Sequence, residues 1–81
     1  MTTPTLKKMP IGVGTVYSHN GKHVADIEYM GNKLYYIRLS KRVLSTRSNK
    51  GPQWPSVVAG MDAAQCVVFG AFAEAHAAGV I

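Results

Sequence analysis

Two turn-forming pairs, Asn20-Gly21 and Gly31-Asn32, separate three segments rich in β-branched and aromatic residues, GVGTVYS, HVADIEYM and KLYYIRLS. Short runs of this composition between such turns fold as a three-stranded antiparallel meander. With Asn20 and Gly21 at the centre of a type I′ turn, His19 falls opposite Lys22, Val16 opposite Ala25 and Thr15 opposite Asp26. In the second hairpin a two-residue Gly31-Asn32 loop mixes polarities on both faces, so a three-residue loop, Gly31 to Lys33, is expected. It sets Ile27 against Ile37, Tyr29 against Tyr35, Ala25 against Leu39, and Asp26 against Arg38 as an opposite-charge pair. The expected buried face is Gly14, Val16, Ala25, Ile27, Tyr29, Tyr35, Ile37 and Leu39. Val13, Thr15, Tyr17, Val24, Asp26, Glu28, Tyr36 and Arg38 form the expected outer face.

On either side of the meander the texture changes. Residues 1–11, with Pro4 and Pro10, read as a flexible arm. Residues 41–56 read as a long basic loop, with Val43 to Thr46 as a candidate short fourth strand. The last segment is a helix: Asp62 is the expected N-cap with Gln65 three residues on, Met61 and Cys66 form a staple, and Gly79 is the left-handed stop. At 100° per residue Cys66, Phe69, Phe72 and Ala73 share one side, expected on the sheet. Ala64, Ala71, Ala75 and Ala78 share the other. That alanine face has two readings, a surface of good helix formers or the seam of a homodimer. The fold class is therefore α+β: a three-stranded or four-stranded antiparallel meander packed on one C-terminal helix, a single domain over residues 12–81.

An 81-residue chain has room for one core and little for a deep catalytic cleft. Its single cysteine, Cys66, forms no intrachain disulfide, and the N-terminal residues lack the apolar run of a signal peptide, so a cytoplasmic protein is expected. The apolar stretch from Val57 to Ile81 is broken by Asp62, Gln65, Glu74 and His76 and does not read as a membrane span.

Residue chemistry argues against catalysis. His19 and His23 flank one turn with side chains on opposite faces and no ligand-spaced neighbour, which gives no metal set. Cys66 and His76 lie ten residues apart on one helix, about 15 Å along its axis, so they do not form a nucleophile and base. Cys66 reads as core. The Gly12-Val13-Gly14 run is too short to cradle a phosphate and reads as a close-packing site for the helix on the first strand. Asp26 and Glu28 sit beside Arg38 on the outer face and are not a general acid and base. No enzyme and no cofactor is expected.

What remains is charge. All nine Lys and Arg residues lie between Lys7 and Lys50, whereas residues 51–81 contain none, which divides a net charge of +5 into +7 and −2. An asymmetry of this kind concerns partners more than fold. Arg38, Lys41, Arg42, Arg47 and Lys50, interleaved with Ser45, Thr46, Ser48 and Asn49, suit phosphate groups. Tyr17, Tyr36 and Trp54 offer stacking surfaces, although Trp54 between Pro52 and Pro55 equally reads as an anchor of the loop to the core. Over residues 12–79 the element order resembles sheet-reading DNA-binding domains of some integrases and plant transcription factors, and the sheet-plus-helix protomers of single-strand binders. Two expectations follow. The first is a sequence-tolerant nucleic-acid-binding protein, DNA or RNA, working through the basic loop. The second is a small regulator or inhibitor, of the type mobile elements encode, that docks on an acidic protein surface, with Tyr17, Tyr36 or Trp54 in the hot spot. Asp26 and Glu28 on the outer face favour the second.

Overall fold

A computed structural model describes residues 6–12, 14–46 and 54–81. Five antiparallel strands form one sheet in sequence order: β1 (Lys7–Ile11), β2 (Gly14–His19), β3 (Lys22–Gly31), β4 (Leu34–Leu39) and β5 (Val57–Ala59). A one-turn helix α1 (Lys41–Leu44) follows β4, and α2 (Met61–Ala77) closes the chain on one face of the sheet. The α+β class and the meander stand as expected, but the sheet has two more strands than its three-stranded centre. Part of the N-terminal segment read as an arm is the edge strand β1, paired from Lys7↔Ser18 to Ile11↔Gly14. The candidate strand at Val43 to Thr46 is replaced by α1, because the Ser40 hydroxyl accepts from the Val43 amide at 3.2 Å and starts a helical turn.

The β3–β4 register is the expected one: Ala25↔Leu39, Asp26↔Arg38, Ile27↔Ile37 and Tyr29↔Tyr35. Its loop closes differently. Asn32 and Lys33 both have positive φ, Gly31 pairs with Leu34, and Met30 is the extra residue that restores the register. The first hairpin keeps its Asn20-Gly21 turn and the His19↔Lys22 pair. Beyond Ser18↔His23 the next pair is Tyr17↔Ala25, so Val24 is bulged and the remaining partners move by one: Val16 faces Asp26 and Thr15 faces Ile27. The bulge inverts the expected faces of β2, while Ala25, Ile27 and Ile37 of β3 and β4 are buried as expected. Tyr17 turns to the helix side, where it is 1% exposed, and Val24 is fully buried, whereas Val16 is left half-buried on the open side.

Gly14 does admit a close approach, but of β3 and not of the helix. A methyl group there would stand 2.8 Å from the Ile27 carbonyl oxygen.

Helix α2 starts earlier than its sequence signals. Gly60, with φ 106°, makes the one-residue corner from β5, and its amide donates to the Lys33 carbonyl at 2.9 Å. Asp62 therefore lies inside the first turn, where its charge complements the helix dipole, and it is not the N-cap. Gln65 instead directs its amide to the Tyr17 hydroxyl at 3.4 Å. The C-terminus is a Schellman motif: the Val80 amide donates to Ala75, and that of Gly79, at φ 78°, donates to His76.

Three of the residues expected to be outward, Ala64, Ala71 and Ala75, are buried, whereas of the side expected on the sheet only Phe72 is. Ala64, Val67, Val68, Ala71, Phe72 and Ala75 are buried, while Cys66, Phe69 and Ala73 are exposed. The sheet explains why. It already supplies large side chains, Tyr17, Ile27, Tyr35 and Ile37, so the helix must offer small ones to approach at packing distance. Ala64, Ala71 and Ala75 of the alanine face proposed for a homodimer lie in the protomer's own core, Ala78 is exposed, and Cys66 is not core. Phe69 only brings its ring to 6.0 Å from that of Tyr17, edge to face. No helix among the described residues is long and apolar enough to cross a membrane.

Candidate nucleic-acid interface

The meander runs β2 up to the Asn20-Gly21 turn, β3 away from it and β4 back to it. Everything that begins or ends near that turn shares one end of the sheet. Lys22 follows the turn directly, and Lys7 starts β1 opposite Ser18, with Lys8 next to it opposite Tyr17. The Ser40 amide donates to the Val24 carbonyl at 2.9 Å, which fixes α1, and with it Lys41 and Arg42, at the same end. Lys7, Lys8, Lys22, Lys41 and Arg42 are all exposed, and among the described residues none of them forms an ion pair. The chain's three histidines gather here too. His19 packs at 5.1 Å from Phe72 and 5.5 Å from His76, while His23 meets Asp26 at 3.2 Å. His19 and His23 do lie on opposite faces, but His23 has a carboxylate neighbour that spacing did not suggest.

The other expected site residues lie along β4. Strand β5 leaves β4 after the Ile37 amide bonds the Ser56 carbonyl at 2.7 Å, and the chain turns so that Trp54 crosses α2 at Gly70. A depression of about 210 Å³ opens there, lined by Tyr36, Arg38, Leu44, Trp54 and Pro55. The Trp54 ring edge lies where a side chain at position 70 would stand, 2.7 Å from an ideal Cβ. The anchoring reading of Trp54 thus has direct packing behind it, as a half-buried residue against the core. Arg38 holds its guanidinium 5.5 Å from the Tyr36 ring centre. It makes no ion pair with Asp26 although the two are register partners. Arg47 and Lys50 lie outside the described residues.

The structure therefore brings together Lys41 and Arg42 with Lys7, Lys8 and Lys22, and separately groups Tyr36, Arg38 and Trp54. Lys7 and Lys8 on the arm and Lys22 at the first turn are basic residues that the sequence sets beside the loop cations, though behind them as candidates. The path of the meander identifies Lys22, since the end of the third strand returns to the first turn. Nothing in residues 1–11 signals that Lys7 and Lys8 join the sheet. No protein-family model matches the chain, and neither does any curated protein or solved structure.

Proposed function

We propose that this chain is a non-catalytic nucleic-acid-binding protein that grips the phosphate backbone with Lys7, Lys8, Lys22, Lys41 and Arg42. The observation that carries the reading is the convergence on one end of the sheet of these five exposed cations, from three separate elements and without an ion pair among the described residues. Cations so placed release counterions from phosphates without reading base edges, which gives sequence-tolerant, salt-dependent binding. Five phosphate contacts imply a slope of log affinity against log salt of about −3.5 for single strands to −4.5 for duplex. Fluorescence anisotropy with labelled single-stranded and duplex oligonucleotides measures this. Replacing Lys41 and Arg42 with Ala should weaken binding on every sequence alike and make the slope shallower by roughly 1.5 to 2. A double variant with the affinity and slope of the parent would end the assignment.

The protein-partner reading is supported by a different observation, the Tyr36, Arg38, Leu44 and Trp54 depression, whose aromatic and arginine side chains are of the types enriched at protein interfaces. Leu44 is 40% exposed at its rim. Capture of an acidic protein with an affinity indifferent to Leu44→Asp and Tyr36→Ala would count against it.

A further inference from the structure

Both helices lie on one side of the sheet, and the opposite side is uncovered among the described residues. Met9, Ile11 and Val57 are 49%, 58% and 43% exposed there. This open face also carries Asp26, Glu28, Arg38 and Lys7, two charges of each sign, on a chain whose net charge is +5. It is the neutral, partly apolar surface on which a second copy meets least repulsion.

We propose that this face packs against the same face of a second copy, about a two-fold axis parallel to the strands and between β3 and β4. With the strand order β1-β2-β3-β4-β5, such an axis lays β3 over the partner's β4 and β2 over the partner's β5. Asp26 and Arg38 occupy one rung, so each Asp26 faces the partner's Arg38, twice. On the next rung of the same face Glu28 and Tyr36 are partners, and each carboxylate meets the hydroxyl of the partner's Tyr36. Gly14 pairs with Glu28 and leaves a notch of about 190 Å³ beside Ile11, Val16, Asp26 and Glu28, opposite the protruding Val57 of the partner. Packed sheets stand about 10 Å apart, a gap that a carboxylate and an extended arginine side chain span. Within one protomer these groups are not ion-paired to each other, since Asp26 turns to His23 and Arg38 lies over Tyr36. The overlap of β3 on β4 and of β2 on the three-residue β5 gives a flat area of roughly 300 Å² per copy, which side-chain relief must raise toward the ~1,000 Å² total of a specific interface. The axis keeps both Asn20-Gly21 turns at the same end, so the dimer presents two basic ends side by side.

Sedimentation equilibrium tests the arrangement without any nucleic acid, so it stands or falls apart from the binding function. The parent chain should dimerise by several hundred micromolar. Asp26→Arg alone and Arg38→Asp alone should each be monomeric, and their equimolar mixture should restore a dimer. In the mixed pair the arginine introduced at position 26 of one chain faces the carboxylate introduced at position 38 of the other, and the native Arg38 and Asp26 still face each other across the axis. No change in the internal stability of either variant can produce that rescue. A parent that stays monomeric, as it would if the face serves a different protein, overturns the proposal. So does a mixture that stays monomeric while both variants are folded by far-UV circular dichroism. Should either variant unfold, Val57→Arg replaces the pair: loss of the dimer supports the arrangement, and a dimer with unchanged dissociation constant refutes it.

Discussion

Replacing Tyr17 and Val16 in turn by Ala tests the bulge at Val24, because the two possible registers assign opposite costs to these neighbours. In the bulged register Tyr17 is 1% exposed, between Ala25 on β3 and Phe69 on α2. Truncating a buried aromatic to Ala costs about 3–5 kcal/mol. A domain of this length holds about 4–12 kcal/mol in total, and each kcal/mol moves the midpoint by about 4–8 °C, so Tyr17→Ala should lower Tm by roughly 15–30 °C or leave little folded protein. Val16 is half-buried on the open face. Removing its two methyl groups there should cost about 1 kcal/mol or less. Tyr17→Phe removes only the long 3.4 Å bond from Gln65 and should cost about 0.5 kcal/mol at most. Thermal and urea denaturation followed by far-UV circular dichroism, at concentrations too low for self-association, give all three values. A Val16→Ala penalty larger than that of Tyr17→Ala would mean that the strands pair without the bulge.

Other substitutions probe single features. Thr46→Val should stabilise the fold by about 1 kcal/mol, since the Thr46 hydroxyl is buried with no hydrogen-bond partner among the described residues; a destabilised variant in urea titration would show that the hydroxyl is satisfied. Gly70→Ala should displace the ring of Trp54, the chain's one tryptophan, and move its emission to the red, with the helix-propensity gain of about 1 kcal/mol offsetting part of the clash. Unchanged emission would contradict the packing of Trp54 on α2. Gly79→Ala should cost about 1 kcal/mol, because its φ of 78° is a conformation that L side chains rarely adopt, and equal stability in urea would refute the Schellman stop. Charge reversal at Lys22 should weaken oligonucleotide binding at least as much as reversal at Lys33, which sits at the far turn; the opposite ranking by anisotropy would move the interface to the other end.

The central hairpins were legible in register, the first at its turn and the second from polarity, although the second turn closes at Asn32-Lys33 and not over Gly31 to Lys33. Asn20-Gly21 imposed the His19↔Lys22 pair, and the polarity pattern of β3 and β4 selected a register that the structure keeps. Val24 shows where pattern reading stops. A single bulged residue carries no compositional mark, since Val24 and Ala25 are both apolar and alternate acceptably in either register, yet it inverts the faces of β2. The helix was legible in extent at its glycine end and not in orientation. Its aromatic side is the more hydrophobic by residue, but which side packs depends on the volume the sheet has already filled, which no local period reports. β1 lay beyond sequence reasoning because Pro10 and two lysines are ordinary in a loose segment and acceptable in an edge strand. Part of the candidate site follows from topology alone, as Lys22, Lys41 and Arg42 show. The rest depended on finding β1.

That edge strand has a consequence for how copies of this chain can associate. By the alternation of an antiparallel ladder, the His19↔Lys22 pair sets Ser18, Val16 and Gly14 to bond β1, so their partners Lys7, Met9 and Ile11 face inward and Lys8 and Pro10 face away. The missing amide of Pro10 therefore falls on the outward rim, close to a charged lysine, where an added strand would seek a donor. At the opposite rim β5 offers only three residues. Among the described residues neither rim is suited to template a sheet that grows from molecule to molecule. A two-fold contact between faces, as proposed above, would close at two copies and not propagate as a fibre.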